Sequence, residues 1–143
     1  MSKRILVPVD GSDQATAASE FVVESYPDAT VVFIHVINPA EAGYGAGGSI
    51  SAVAEEWYEE RQTTAQSLLD DLESIAHEAG IEDVERVVEV GRPTQTIVDY
   101  ADDHDIDQIV MGSHGRSGVS RVLLGSVAET VVRRATVPVT VIR

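Results

Sequence analysis

The sequence contains no cysteine, which excludes disulfide scaffolds, thiolate metal sites and cysteine nucleophiles. Lysine is nearly missing too, with Lys3 standing alone beside nine arginines. No apolar run approaches the roughly 18 residues of a membrane span. The run Ile5-Leu6-Val7-Pro8-Val9 is stopped by Asp10 before it could form a signal-peptide core. These absences lead us to expect a cytoplasmic protein with no membrane partner. Positive charge is scarce overall, with 10 basic residues against 24 acidic ones and a net charge of −14. Such a surface repels nucleic acid, so no nucleic-acid partner is expected. An acidic excess with one lysine also fits the cytoplasm of a halophile, where hydrated carboxylates keep a chain soluble.

What is present suits one globular domain over residues 1–143. The chain is 43% hydrophobic and 24% charged, long enough for one core and too short for two. Arg4 to Val9 is apolar and β-branched, as in a buried strand. Asp10-Gly11-Ser12-Asp13 then combines a turn with a helix N-cap, and Ala15, Ala18, Phe21 and Val22 share one helical face. Thr30 to Ile37 reads as a strand covered on both faces, ended by Asn38-Pro39. Glu41 to Ser51 is glycine-rich and reads as a mobile loop. From about Val53 to Ala79 the spacing of Trp57, Ala65, Leu68, Leu72, Ile75 and Ala79 predicts a long helix, with Gly80 just past its end. Val84 to Val90 gives a third strand. Pro93 opens a helix with Ile97, Val98 and Ala101 inward.

Ile106 to Met111 is the fourth strand, and the segment Met111 to Ser126 that follows is unusually rich in glycine and serine. Glycine lets a backbone approach an anion closely, and the start of a helix adds partial positive charge, so the segment suits phosphate. Ser126 reads as the N-cap of a helix whose buried stripe is Val127, Ala128, Val131, Val132 and Ala135. From Arg116 onward five arginines face Glu129 alone, a local net charge of +4 in a strongly acidic chain. A bound phosphate would feel those arginines most, because the Debye length is about 8 Å at physiological ionic strength. Pro138 places the last strand, Val137 to Ile142, at a sheet edge.

The order β-α-β-α-β-α-β-α-β calls for an α/β fold, a five-stranded parallel sheet with helices on both faces. Ligands of such sheets bind beyond the carboxyl ends of the strands, where the winding reverses. If the first and fourth strands are neighbours there, Asp10 and Gly112 meet in one crevice. Other phosphate grammars fit less well. There is no G-x-x-x-x-G-K-[ST], and no G-x-G-x-x-G after the first strand. Asp10-Gly11-Ser12 is distantly like the loop of ATP pyrophosphatases, but Pro8-Val9 replaces the glycines those enzymes use.

Gly112-Ser113-His114-Gly115, nine residues, then Gly125-Ser126 resembles the pattern of the universal stress protein family in its ATP-binding branch. The likeness extends to Pro8-Val9-Asp10, His35-Val36-Ile37, Gly91-Arg92-Pro93 and Val137-Pro138-Val139, nearly the whole chain. The resemblance implies a Rossmann-like fold with strand order 3-2-1-4-5 and a nucleotide-dependent regulatory role in stress response. It implies ATP as the ligand, with Pro8 and Asp10 near the ribose and the Val36 backbone on the adenine edge. Met111 and Gly112 would lie near the ribose and phosphates, with His114 beside them, and Gly115, Gly125, Ser126 and Val127 would cradle the phosphate chain. Any divalent cation, Mg2+ or Mn2+, would ride on the phosphates. The resemblance also implies a homodimer, joined through the edge strand Val137–Ile142.

An alternative is a slow ATPase or nucleotidyl-transfer enzyme using the same loop, but no residue stands out as a general base, so no catalytic residue is assigned. His114 reads equally as a phosphate contact or a spacer, and His35 as a structural histidine. Asp102-Asp103-His104-Asp105 reads as a solvated turn rather than a metal cluster.

Overall fold

A computed structural model describes residues 3–42, 51–114 and 124–143. Among these lie five strands and four α-helices: β1 (Arg4–Pro8), α1 (Asp13–Ser25), β2 (Thr30–Ile37), α2 (Ser51–Glu78), β3 (Val84–Val90), α3 (Pro93–Asp103), β4 (Gln108–Gly112), α4 (Ser126–Arg134) and β5 (Val139–Ile142), with a short 3-10 turn at Pro39–Ala42. Every strand pair is parallel, in the order β3-β2-β1-β4-β5. Alternation along the central strands splits the core in two. Ile5, Val7, Val31 and Phe33 pack against α1 and α2, whereas Leu6, Val32 and Ile34 pack against α3 and α4. The helices thus cover both faces, as the continuous apolar runs of β1 and β2 require. None of the described helices is long and apolar enough to cross a membrane.

Local sequence explains most element ends. Ser12 caps α1 by accepting from Ala15 N–H at 3.1 Å. Gly80, at φ +100°, ends the α2 turn, and Ile81 N–H returns to Ala76 C=O at 3.0 Å. Pro93 stands in the first turn of α3. Three inward faces differ from the periodic reading. In α2 the sheet side is Ala65, Leu69, Leu72 and Ala76, while Ile75 is 45% exposed and Ala79 is exposed. Ile75 sits about a quarter turn from the centre of that stripe, and Ala79 falls beyond the helix end. In α4, Ala128 and Val131 fill the groove and Val132 is 46% exposed, because nine residues present only a narrow stripe. In α1, Phe21 is half-buried and packs edge-on to Tyr26, with Ser19 and Val23 buried beside Val22. The last strand begins at Val139, one residue past Pro138, whose carbonyl still accepts Ile109 N–H at 2.9 Å. The loop expected over Glu41 to Ser51 falls mostly outside the described residues; its first two positions belong to the 3-10 turn and its last to α2.

Candidate functional site

β1 and β4 are hydrogen-bonded neighbours, with α1 leaving β1 on one face and α4 leaving β4 on the other. The winding reverses between them, so their carboxyl ends open the crevice in which ligands of such folds sit. Half-buried Pro8 ends β1. Val9 N–H then makes a bond to Ile34 C=O at 2.9 Å, and Asp10 begins the turn. The Asp10 carboxylate accepts Ser12 N–H at 2.9 Å, an Asx-turn that fixes the side chain at the strand end. Gly11 follows at φ +84°.

Across the crevice β4 ends at Gly112, which meets α1 at close range. A Cβ there would lie 2.6 Å from Gln14 Cβ and 2.8 Å from the Gln14 carbonyl carbon. Packing against α1 alone therefore demands glycine at this position. Ser113 is buried, its N–H bonded to Ile142 C=O at 2.8 Å. Its own carbonyl accepts Gly125 N–H at 2.7 Å, so the chain leaving β4 and the chain entering α4 are tied together. A Cβ on Gly125 would lie 2.9 Å from that same carbonyl oxygen. Half-buried His114 places Nδ1 3.2 Å from Ser113 Oγ.

Gly125, not Ser126, is the N-cap of α4, with extended backbone and no side-chain cap bond. Ser126 is one residue too late to cap. The tie between Gly125 and Ser113 sets where the helix starts, and the first helical bond runs from Glu129 N–H to Gly125 C=O. The opening N–H groups of α4 have no partner within the helix, and they follow directly on the glycine-rich segment. Val127 is half-buried against the α3–α4 core, and the Met111 side chain is fully in that core. Met111 can thus offer a ligand little beyond its main chain. Gly115 lies outside the described residues.

On the other side of Asp10, Val36 pairs in register with Glu89 of β3. Ile34 turns its carbonyl toward β1, so by the alternation of a parallel ladder Val36 turns its N–H and C=O the same way, past the end of β1. Its side chain lies against the α3 face. His35 points to the α2 face and is anchored: Nδ1 donates to Val9 C=O at 2.8 Å, which leaves the lone pair on Nε2.

Sequence reasoning did not find the cleft beside this end of the site. About 320 Å3 in volume, it lies between Asp10, Gly11 and His35 on one wall and Arg61, Thr64, Ala65, Ser67 and Leu68 of α2 on the other. Of the expected site residues it contains Asp10 alone. One signal was legible: α2 carries eight carboxylates, none of them between Arg61 and Leu69. Among the described residues no three His, Asp or Glu side chains are grouped to hold a metal ion. Asp102 accepts Thr136 Oγ1 at 2.7 Å, and His104 stacks on Tyr100 with ring centroids 3.7 Å apart.

The fold and site geometry agree with what the chain is similar to. The family model described as universal stress protein family matches residues 1–143. The universal stress protein MJ0531 of Methanocaldococcus jannaschii is 35% identical over 99% of this chain and 82% of its own length. The solved structure of MJ0577 from the same organism superposes with a TM-score of 0.87 at 30% identity, covering 99% of this chain and 96% of that one. A universal stress protein solved in complex with cAMP superposes at TM-score 0.68 and 26% identity, covering 99% and 97% of the two chains. On its family match, relatives and sheet order, the chain belongs to the universal stress protein family.

Proposed function

We propose that the protein binds ATP across the β1–β4 crevice and acts as a nucleotide-dependent regulatory homodimer. The observation that carries this reading is the bond from Gly125 N–H to Ser113 C=O. It draws both ends of the glycine-rich segment to the start of α4, beside β4, whose neighbour β1 ends two residues before Asp10. The phosphate chain would lie along Gly112, His114, Gly115, Gly125, Ser126 and Val127. A phosphate on the opening N–H groups of α4 gains about 0.3–1 kcal/mol per charge–dipole contact, rising to ~2 kcal/mol when partly buried. Asp10 would accept from a ribose hydroxyl beside Pro8, and the outward main chain of Val36 offers one donor and one acceptor to the adenine edge. The close approach of Gly125 to Ser113 supports the fit, since a Cβ there would press on the Ser113 carbonyl and His114 and part the two ends of the segment. Similarity to a relative solved with cAMP supports an adenine nucleotide as the ligand class. Mg2+ or Mn2+ would enter on the phosphates.

Dimerisation through β5 is supported by its position at the edge of the described sheet. Pro138 and Ile142 direct their carbonyls to β4, so Val139 and Val141 turn their main-chain groups outward, ready for a second copy. Calorimetric titration with ATP, ADP and AMP, with and without Mg2+ and at high KCl, tests the ligand. Micromolar or tighter binding of ATP is expected, and absence of heat with all three nucleotides would refute it. Binding without turnover over hours separates the regulatory reading from a slow ATPase. Gly115→Val should abolish the affinity, and unaltered binding would contradict the placement of the phosphates.

A further inference from the structure

We infer that the cleft between β2 and α2 is a subsite for a second phosphoryl group, one esterified to a ribose hydroxyl of the bound nucleotide. This rests on the nucleotide reading above and adds the chemistry of the nucleoside end. Arg61 is the centre of the case. In a chain of net charge −14, its guanidinium forms no ion pair among the described residues. Its one described contact is the Trp57 ring, at 5.4 Å from the centroid. The ring holds the side chain by cation–π attraction without using any N–H donor. A guanidinium kept this way can meet phosphate with two parallel bonds.

The helix is shaped to the same end. α2 places four glutamates before Arg61 and four acids after Leu69, and the stretch facing the cleft has none. Thr64 and Ser67, which line the cleft with Arg61, make no side-chain hydrogen bond among the described residues and add two hydroxyl donors. The opposite wall has the reverse character. Asp10 is an acceptor, and His35, whose Nδ1 proton is committed to Val9 C=O, offers only the lone pair of Nε2 when neutral. The α2 wall therefore suits a phosphate and the strand wall a hydroxyl. A ribose with one hydroxyl free and the other phosphorylated presents both. Asp10 repels a phosphate on its own side and so favours the α2 wall.

Titration calorimetry with AMP and with adenosine 3′,5′-bisphosphate tests this directly. The bisphosphate should bind about ten-fold tighter than AMP, the size of one charge-assisted contact, and the 2′,5′ isomer run alongside assigns the hydroxyl. A 5′-phosphorylated diadenylate, run as a further arm, separates a linking diester from a terminal monoester: an equal gain supports a diester, no gain a monoester. Arg61→Gln should bring the AMP and bisphosphate affinities to within about two-fold of each other, while Arg61→Lys keeps part of the difference. AMP binding with no gain from the second phosphate on either hydroxyl, or a gain unchanged in Arg61→Gln, overturns the subsite and leaves the nucleotide reading standing. If neither AMP nor ATP binds, both fall together.

Discussion

Among the described residues β3 and β5 each leave one side of a strand without a hydrogen-bonded neighbour, yet their side chains treat that edge differently. β3 reads VERVVEV and carries its own ion pairs. Arg86 reaches Asp70, Glu73 and Gln66 of α2, and Glu85 takes Arg4 at 2.7 Å. Charges clamped beside an exposed edge discourage another strand from pairing with it. β5 reads VTVI, with no charge until Arg143. One edge of the sheet is guarded by charge and the other is not, which is why the proposed dimer uses β5.

The largest test of this contrast is proline on each edge. Val141→Pro removes an outward N–H that β4 does not use, and sedimentation at micromolar concentration should show a shift from dimer to monomer. Val88→Pro removes an outward N–H of β3 and should leave the oligomeric state as it was. Dimers persisting in Val141→Pro would move the interface elsewhere. Second in size is Arg86→Ala, which removes the guanidinium from Asp70, leaves Glu73 with His77 alone and cuts the polar tie from α2 to β3. A loss of about 1 kcal/mol in urea unfolding is expected, below the roughly 1.5–3 kcal/mol of buried hydrogen bonds to charged groups because Asp70 is 68% exposed.

A smaller effect comes from acid. The hydrogen bond from Arg4 holds the Glu85 carboxyl below its ordinary value of 4.5. Its contribution is therefore complete above that value and fades as pH falls through the lowered one. Glu85 is 46% exposed, so less than about 1 kcal/mol is at stake. Hydrogen exchange should loosen at β3 before β5 as pH drops below 4.5. The smallest effect lies at the end of α2, where the Ile81 carbonyl, and then Glu73, raise His77 above its ordinary 6.5. That contribution is complete below 6.5 and is lost as pH rises through the raised value. Faster amide exchange at Gly80 and Ile81 above neutrality, removed by His77→Gln, is the expected sign.

Much of the fold could be read in the chain. Thr30 to Ile37 is a strand with the bounds its β-branched run implies, because such runs fit a pleated sheet and little else. Gly80 and Pro93 sit where the end of one helix and the start of another need them. Legibility was poorer where two elements compete for a residue. Ser126 has the chemistry of an N-cap, but the bond from Gly125 to Ser113, twelve positions back, starts the helix one residue earlier. Gly112 looks like part of a phosphate loop, whereas its closest neighbour is Gln14 of α1. His35 and Arg61 lie 26 residues apart, and nothing local announces that they line one cleft.

By itself the sequence determined which segments become strands and helices, and the family to which the chain belongs, since periodicity, turn residues and motif spacing are written along the chain. Tertiary structure decided what faces what. It set Gly112 against α1, put Arg61 across a cleft from Asp10, and left β5 rather than β3 as the uncharged edge. Those outcomes depend on packing between residues far apart in sequence, where close contact and the pairing of charges, rather than local propensity, fix the lowest free energy.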